Sequence, residues 1–348
     1  MELPLYPPGP CRTQGPDPSR QAGQAPQPGM SCAAATDRRA PTRERVSPRI
    51  RDLMAIVDFP LICFIRAFQQ ILRVLPERLC RLTGVVAGRV AFLLLVERRR
   101  VAIANVGRIS PGISRAGAGN AARSCFEKLG INLMETLLFP YIKKAEYAAR
   151  FRLEKKGGVD EVLSANQGAL ALGFHYSNWE IAGVSSFLLK REIVALARPL
   201  KGHRALNDFL NGLRASTGLT IIPNKDTARE VIRLLRENRL VAFLGDQREK
   251  RSKAVWVELF GQKVPTSKGI VAIAMKTGAP IIPVYARRDG FLRYTVVYNE
   301  PLLIERKGAP VDELISRNAR RINRFLEDLV SRHPDEWFLV HRRFGRDT

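Results

Sequence analysis

Residues 168–180 read GALALGFHYSNWE, and this stretch decides the fold class. The first part, 168–174, is a continuous apolar run of strand length, and the polar residues after it begin a predicted helix. Strands that are apolar along their whole length are typical of parallel sheets that helices cover on both faces. The stretch therefore predicts a strand, a loop and a helix of an α/β domain. The loop lies at the carboxyl end of the strand, where such domains bind ligands.

The same alternation of short apolar runs and amphipathic segments continues to the C-terminus. Further strands are predicted at 192–198, 219–223, 240–245, 280–286 and 291–298, and helices at 180–190, 203–216, 226–238, 266–277 and 311–331. Strands separated by helices are typical of parallel pairing, whereas the last two strands follow each other directly. We therefore expect an α/β fold with a mostly parallel central sheet flanked by helices and an antiparallel pair near its end.

Three regions are expected along the chain. Residues 1–50 hold ten of the 22 prolines and show no hydrophobic period, so they predict a disordered, Pro-rich extension. A true start at Met54 is an alternative hypothesis. Residues 51–150 are expected to form an N-terminal helical, membrane-associated region, and 151–348 the catalytic α/β region. Together, 51–348 are expected to be one folded unit.

The N-terminal helical region carries two apolar segments. Residues 53–75 repeat apolar side chains at helical spacing, with Arg66 and Arg73 on the other face. An uninterrupted transmembrane helix needs about 18 or more apolar residues, so a helix lying in the membrane interface fits better. A helix packed on the protein's own core fits the periodicity equally well. A second segment, 82–96, ends in an arginine cluster at 98–100, which suits an anionic membrane surface.

The charge balance restricts the partners. The chain has 57 Lys and Arg against 33 Asp and Glu, a net charge of +24. This excess favours polyanions: nucleic acid, anionic lipid headgroups, phosphorylated sugars or an acidic carrier protein. The five cysteines are scattered and the four histidines have no carboxylate cluster at ligand spacing, so neither a metal nor a tightly held cofactor is expected.

The loop after the first strong strand holds the residues suited to catalysis. His175, at a strand end, can act as a general base near neutral pH. Glu180 could hold the imidazole in one tautomer and stabilise its cation. Since no activated Ser or Cys nucleophile accompanies them, the base would activate a hydroxyl of the substrate itself. The alternative is structural: Ser177 and Glu180 also have the spacing of a capping box at a helix start.

Several sequence blocks carry a family resemblance, in order from about residue 75 to 344. They are HYSNWE at 175–180, ARPL at 197–200, GDQ at 245–247, FGQKVP at 260–265, and HPDEW at 333–337 with HRRF at 341–344. The first resembles the H-x4-D/E motif of glycerolipid acyltransferases, and more closely the form found in the late acyltransferases of lipid A biosynthesis. Each block is weak alone, but their ordered combination is specific.

The resemblance implies a role for each of several residues. His175 would be the base and Glu180 its orienting acid. Arg198 would bind a phosphate or the oxyanion of a tetrahedral intermediate, and Asp246 could hold Arg198 in place. Weaker candidates for substrate contact are Asn207, Arg214 and Arg342. For Arg198 and Asp246 a surface ion pair and an ordinary turn residue are the alternatives, and for the three weaker candidates a solvated or structural residue is favoured.

Three functions remain open from the sequence. The first is transfer of a fatty acyl chain from acyl-carrier protein to a hydroxyl of a lipid A precursor, at the cytoplasmic face of the inner membrane. The second is acylation of another lipid from acyl-CoA: a lysophospholipid, a mannosylated inositol lipid or an aminolipid. The third, a basic nucleic-acid-binding protein, is disfavoured, because aromatic residues are only 7% and no binding motif is present. Nucleic acid is therefore not an expected partner.

Overall fold

The structure is a computed structural model of the chain and describes residues 48–165, 167–223 and 227–345. The described residues all belong to one compact unit. The expectation of a disordered extension at 1–50 falls almost entirely outside the described residues, since the first helix begins at Pro48.

The elements alternate as expected in the C-terminal two thirds of the chain. The helices are α1 Pro48–Val74, α2 Glu77–Leu94, α3 Val96–Ile109, α4 Arg115–Leu138, α5 Tyr147–Arg150, α6 Val159–Ser164, α7 Ser185–Leu189, α8 Arg204–Ser216, α9 Thr227–Arg236, α10 Gly269–Thr277 and α11 Val311–Arg332. The strands are β1 Phe151–Lys155, β2 Ala169–Gly173, β3 Ile193–Ala197, β4 Leu219–Pro223, β5 Leu240–Leu244, β6 Ala254–Leu259, β7 Gln262–Ser267, β8 Ile281–Gly290 and β9 Arg293–Tyr298.

Seven strands form the central sheet in the order β1-β9-β8-β2-β5-β3-β4. The pairs β1–β9, β8–β2, β2–β5, β5–β3 and β3–β4 are parallel, and β8–β9 is antiparallel. The expected fold class and the antiparallel pair near the end are therefore confirmed. Strands β6 and β7 form a separate antiparallel hairpin, where the sequence predicted the beginning of a helix at 266.

The sheet is buried on both faces, as the apolar run at 168–174 predicted. Leu170, Leu172 and Phe174 pack into the core on one face. Ala169 and Ala171 pack into the core on the other. Successive side chains of a strand point to opposite faces, so a strand buried on both faces must be apolar throughout.

Helices α2 and α4 cross at very short range. A Cβ atom at Gly130 would lie 2.0 Å from the carbonyl oxygen of Gly84, and one at Gly88 would lie 2.2 Å from the carbonyl oxygen of Phe126. The Gly84-x-x-x-Gly88 spacing therefore serves helix packing, because only glycine lets the two backbones approach this closely.

The outer faces of α1 and α2 carry exposed apolar side chains. Phe59 and Phe64 on α1 and Leu93 and Leu94 on α2 are exposed. Within the described residues no single helix is long and apolar enough to cross a membrane. Helices α2 and α3 together meet the length and composition requirement, but they are bent by 97° at their junction.

Candidate active site

Three neighbouring strands bring the candidate residues to one edge of the sheet. In the order β2-β5-β3, His175 follows β2, Asp246 follows β5 and Arg198 follows β3. The register pairs Gly173 with Leu244, so His175 and Asp246 each lie two residues beyond a paired position. The two side chains therefore meet side by side at the carboxyl end of the sheet.

Asp246 is the carboxylate that holds His175. Its Oδ1 lies 2.7 Å from Nδ1 of the imidazole, and its Oδ2 accepts the backbone N–H of His175 at 2.9 Å. Oδ2 also accepts the indole N–H of Trp337 at 2.7 Å. Burial opposes the charge of this carboxylate, but these donors and the nearby imidazole keep the pKa of Asp246 below its usual value. Asp246 is therefore a charged acceptor, fixed in place by three donors.

The contact with Asp246 decides the tautomer of His175. A carboxylate only accepts hydrogen bonds, so Nδ1 carries the proton and the lone pair is left on Nε2. The amide nitrogen of Gln247 lies 3.2 Å from Nε2, in position to donate to it. The rings of Trp179 and Phe338 pack against the imidazole, with centroids 4.9 and 5.7 Å away. These contacts present Nε2 of His175 as a base.

The prediction that Glu180 contacts the imidazole of His175 is wrong. The carboxylate of Glu180 instead accepts from Nε and Nη2 of Arg214, each at 3.0 Å. Ser177 adopts a left-handed conformation with φ of 52°, and this turn separates His175 from the helical residues that follow Glu180. The hydroxyl of Ser177 is buried and has no hydrogen-bond partner in the described part of the chain, so the capping-box alternative is not formed either.

The prediction that Asp246 holds Arg198 is also wrong. The carboxylate of Asp246 instead accepts hydrogen bonds from His175 and Trp337. Arg198 and Arg214 both line the cavity that contains His175, as does Glu180. Arg198 also lines a smaller neighbouring cavity of about 420 Å³.

The two other candidates lie elsewhere. The amide of Asn207 bonds the backbone of Leu200 and His203 at 2.7–2.8 Å, so it shapes the loop after Arg198. Arg342 forms an ion pair with Glu97. These contacts fit the structural reading of both residues.

The cavity beside His175 has a volume of about 1310 Å³. Ordinary small-molecule sites occupy about 300–1,000 Å³, so a larger molecule would fit. Its lining mixes apolar side chains with cations. Six of the cationic side chains have no ion-pair partner within the described part of the chain: Arg198, Arg229, Arg248, Lys253, Lys268 and Lys276. Their unbalanced charge suits an anionic ligand.

The C-terminal segment packs against the residues of the site. Besides Trp337, the backbone N–H of Phe338 donates to the carbonyl of His175 at 2.9 Å. Nε2 of His341 accepts the backbone N–H of Arg248 at 3.0 Å, and burial lowers the pKa of His341 to about 4, so it stays neutral. The guanidinium of Arg343 is buried and donates to Pro265 and Thr266. This segment therefore ties the chain end to His175 and to the loop after β5.

Sequence reasoning did not assign roles to Trp337 and Gln247. The available signal was position: Gln247 follows Asp246 directly, and Trp337 lies in a block already matched to the family.

No group of three or more His, Cys, Asp or Glu residues that could hold a metal ion occurs among the described residues.

The fold and the His–Asp pair beside a large cavity place the protein among α/β enzymes with a histidine-centred site. The chain belongs to the bacterial lipid A biosynthesis acyltransferase family, whose model matches residues 53–346. It is therefore an O-acyltransferase, and the family expected from the sequence blocks is confirmed.

Individual relatives are distant but cover most of the chain. The chain is 23% identical to the lipid A biosynthesis palmitoleoyltransferase of Escherichia coli (strain K12) over 279 residues, which is 78% of this chain and 86% of the relative. It is 24% identical to the lauroyltransferase of the same organism over 277 residues, again 78% and 86%. A phosphatidylinositol mannoside acyltransferase of Mycobacterium tuberculosis (strain CDC 1551 / Oshkosh) is 26% identical over 200 residues, 55% of this chain and 60% of the relative.

Proposed function

We propose that the protein transfers a fatty acyl chain from acyl-carrier protein to a hydroxyl of a lipid A precursor. The observation that carries this proposal is the base: Nε2 of His175, oriented by Asp246, lies beside a cavity of about 1310 Å³ whose lining includes six cations without an ion-pair partner among the described residues. A phosphorylated glycolipid is anionic and large, so it matches both the charge and the volume. Similarity to two lipid A acyltransferases supports the same acceptor.

The reaction follows from these positions. Nε2 of His175 takes the proton of the acceptor hydroxyl as its oxygen attacks the thioester carbonyl of the donor. Asp246 stabilises the imidazolium that forms. The tetrahedral intermediate collapses, the carbon–sulfur bond breaks, and the departing thiolate takes the proton back from His175. The products are the acylated lipid and the free thiol of the donor.

Arg198 stabilises negative charge in this reaction. Its guanidinium lines the cavity, follows the strand beside β5 and has no ion-pair partner in the described part of the chain. Arg214, by contrast, is neutralised by Glu180. The pair of Glu180 and Arg214 lines the cavity and shapes its polar wall.

The acceptor is tested with purified protein, a phosphorylated glycolipid precursor and acyl-carrier protein loaded with a fatty acid. Mass spectrometry should show the precursor gaining one acyl group. His175→Ala should reduce the rate about 10²–10⁴-fold and excludes a contaminating enzyme. Replacing the carrier protein by acyl-CoA identifies the donor. No mass gain with either donor would contradict the proposal.

A second candidate acceptor is a mannosylated inositol lipid. It is favoured by the similarity, 26% identity over 200 residues, to a phosphatidylinositol mannoside acyltransferase. Both lipids carry sugar hydroxyls and an anionic group, so the cations of the cavity do not distinguish them. Competition between the two acceptors in one reaction does, and the lipid A precursor should be consumed first.

A further inference from the structure

A buried carboxylate lies behind the loop that carries His175. Glu135, on α4, is fully buried and accepts four hydrogen bonds. Its Oε1 accepts from the guanidinium of Arg288 at 2.5 Å and from the backbone N–H of Leu292 at 2.9 Å. Its Oε2 accepts from the hydroxyl of Tyr294 at 2.5 Å and from the amide of Asn178 at 3.1 Å. One of these four donors, Asn178, belongs to the loop of residues 174–180 that carries His175.

The backbone conformation of this loop at Ser177 requires contacts with other parts of the chain. Ser177 has a φ of 52°, a conformation that L-residues other than glycine rarely adopt unless their surroundings impose it. Its carbonyl accepts from the amide of Asn132 at 2.6 Å, and its N–H donates to the carbonyl of Glu336 at 2.8 Å. Arg288, the partner of Glu135, also donates to Asn132. The turn is therefore fixed by α4 on one side and by the C-terminal segment on the other.

The turn separates the two halves of the active-site motif. His175 lies two residues before Ser177, whereas Trp179 and Glu180 lie just after it, and all three line the cavity. The ring of Trp179 packs on the imidazole. A change in the turn would therefore alter the position of His175 relative to the cavity wall without removing any group that touches substrate.

We propose that Glu135 is a positioning residue for acyl transfer: through Asn178 it fixes the left-handed turn that orients His175, Trp179 and Glu180 toward one cavity. This inference rests on the function proposed above. Arg288 neutralises the buried charge of Glu135, so the carboxylate can serve as a permanent acceptor for the amide of Asn178.

Glu135→Gln tests the proposal. The amide retains one acceptor oxygen, which suits Arg288 and Leu292, but it presents an NH₂ group to the NH₂ group of Asn178. We expect kcat to fall by up to about 10²-fold, as small displacements of catalytic groups can cause, with the KM of donor and acceptor little changed. Tyr294→Phe is the matched control, since it removes a different donor from the same carboxylate and leaves the bond to Asn178. Its kcat should stay close to that of the wild type.

A reciprocal exchange supplies a rescue. In the double variant Glu135→Gln with Asn178→Asp, the amide and the carboxylate change places and the net charge is unchanged, so the hydrogen bond can form again. Recovery of most of the lost kcat is expected. A double variant no more active than Glu135→Gln, or an equal loss in Tyr294→Phe, would overturn the positioning role and leave Glu135 as a purely structural group.

Two further measurements keep the test decisive. Should Glu135→Gln not fold, Asn178→Ala removes the same bond from the loop side while the pair with Arg288 remains, and wild-type kcat in that variant would refute the proposal. Hydrogen exchange of residues 174–182 needs no substrate, so it stays informative if the wild type shows no acyl transfer. Faster exchange there in Glu135→Gln than in Tyr294→Phe supports positioning, and equal exchange rejects it.

Discussion

Oδ1 of Asp246 lies 2.7 Å from Nδ1 of His175, and Oδ2 of the same carboxylate accepts the backbone N–H of that histidine. The carboxylate that contacts His175 thus follows the neighbouring strand, 71 residues further along the chain, and does not come from the H-x4-E motif itself. Glu180 of the motif is paired with Arg214 instead. We therefore expect substitutions of Asp246 and of Glu180 to affect catalysis to different extents.

Asp246→Asn should reduce kcat about 10²–10⁴-fold, because an amide facing Nδ1 favours the tautomer that has no lone pair on Nε2. Glu180→Gln should cost less than about tenfold, since a partly exposed ion pair contributes ~1 kcal/mol or less. Both rates are measured at saturating donor and acceptor, with thermal unfolding as the control for folding. A larger loss in Glu180→Gln than in Asp246→Asn would reverse the assignment.

The depressed pKa of Asp246 makes a prediction about stability at low pH. The unfolded chain binds a proton at this carboxyl near its ordinary pKa of 3.8, whereas the folded chain resists protonation until lower pH. The stabilisation is therefore present above pH 3.8 and is lost as the pH falls through the folded pKa. The difference in unfolding free energy between wild type and Asp246→Asn, from urea titrations, should shrink as the pH falls below about 4. A difference that grows on acidification would contradict this.

Arg198→Ala should lower kcat about 10²-fold if its guanidinium stabilises charge that develops in the transition state. Arg198→Lys should recover little, because an ammonium group cannot reproduce two parallel hydrogen bonds. A rise in KM for the acceptor alone would indicate that Arg198 binds a substrate phosphate. Arg204→Ala, a neighbouring and highly exposed arginine, is the control and should leave both constants unchanged.

The exposed apolar faces of α1 and α2 should bind membranes. Phe59 and Phe64 are 71% and 69% exposed, so replacing both with Glu removes apolar burial and adds charge that anionic lipids repel. We expect the double variant to sediment less with phosphatidylserine-containing vesicles than the wild type. Leu303→Glu, at an apolar residue that is 80% exposed outside these helices, is the control. Equal sedimentation of all three proteins would exclude α1 as the anchor.

The crossing of α2 and α4 should tolerate no side chain at Gly130. Its Cβ would lie 2.0 Å from the carbonyl of Gly84, so Gly130→Ala should destabilise the fold by about 1–3 kcal/mol or more. Gly119 lies on the same helix with no atom near its Cβ position. Gly119→Ala should therefore stabilise by ~0.5–1 kcal/mol. Urea titrations of both variants should show shifts of opposite sign, and shifts of the same sign would disprove the close packing.

Much of the α/β region could be predicted because the signal is local. The apolar run at 168–174 contains β2, since a strand buried on both faces must be apolar at every residue, and the predicted strand at 219–223 coincides with β4. The sequence pattern does not predict the hairpin of β6 and β7 and instead places the beginning of a helix at 266. Its two strands pair with each other instead of joining the central sheet, and residues such as Lys263 and Pro265 interrupt the apolar pattern.

The sequence by itself determined the fold class, the family and the strand ends at which His175, Arg198 and Asp246 lie, because these depend on residue type and on spacing between neighbours. Only the tertiary structure decided which acid contacts His175. That choice depends on the strand order, which places β5 beside β2, and on the left-handed turn at Ser177. Strand order is set by long-range packing of residues far apart in the chain, so no local pattern of spacing encodes it.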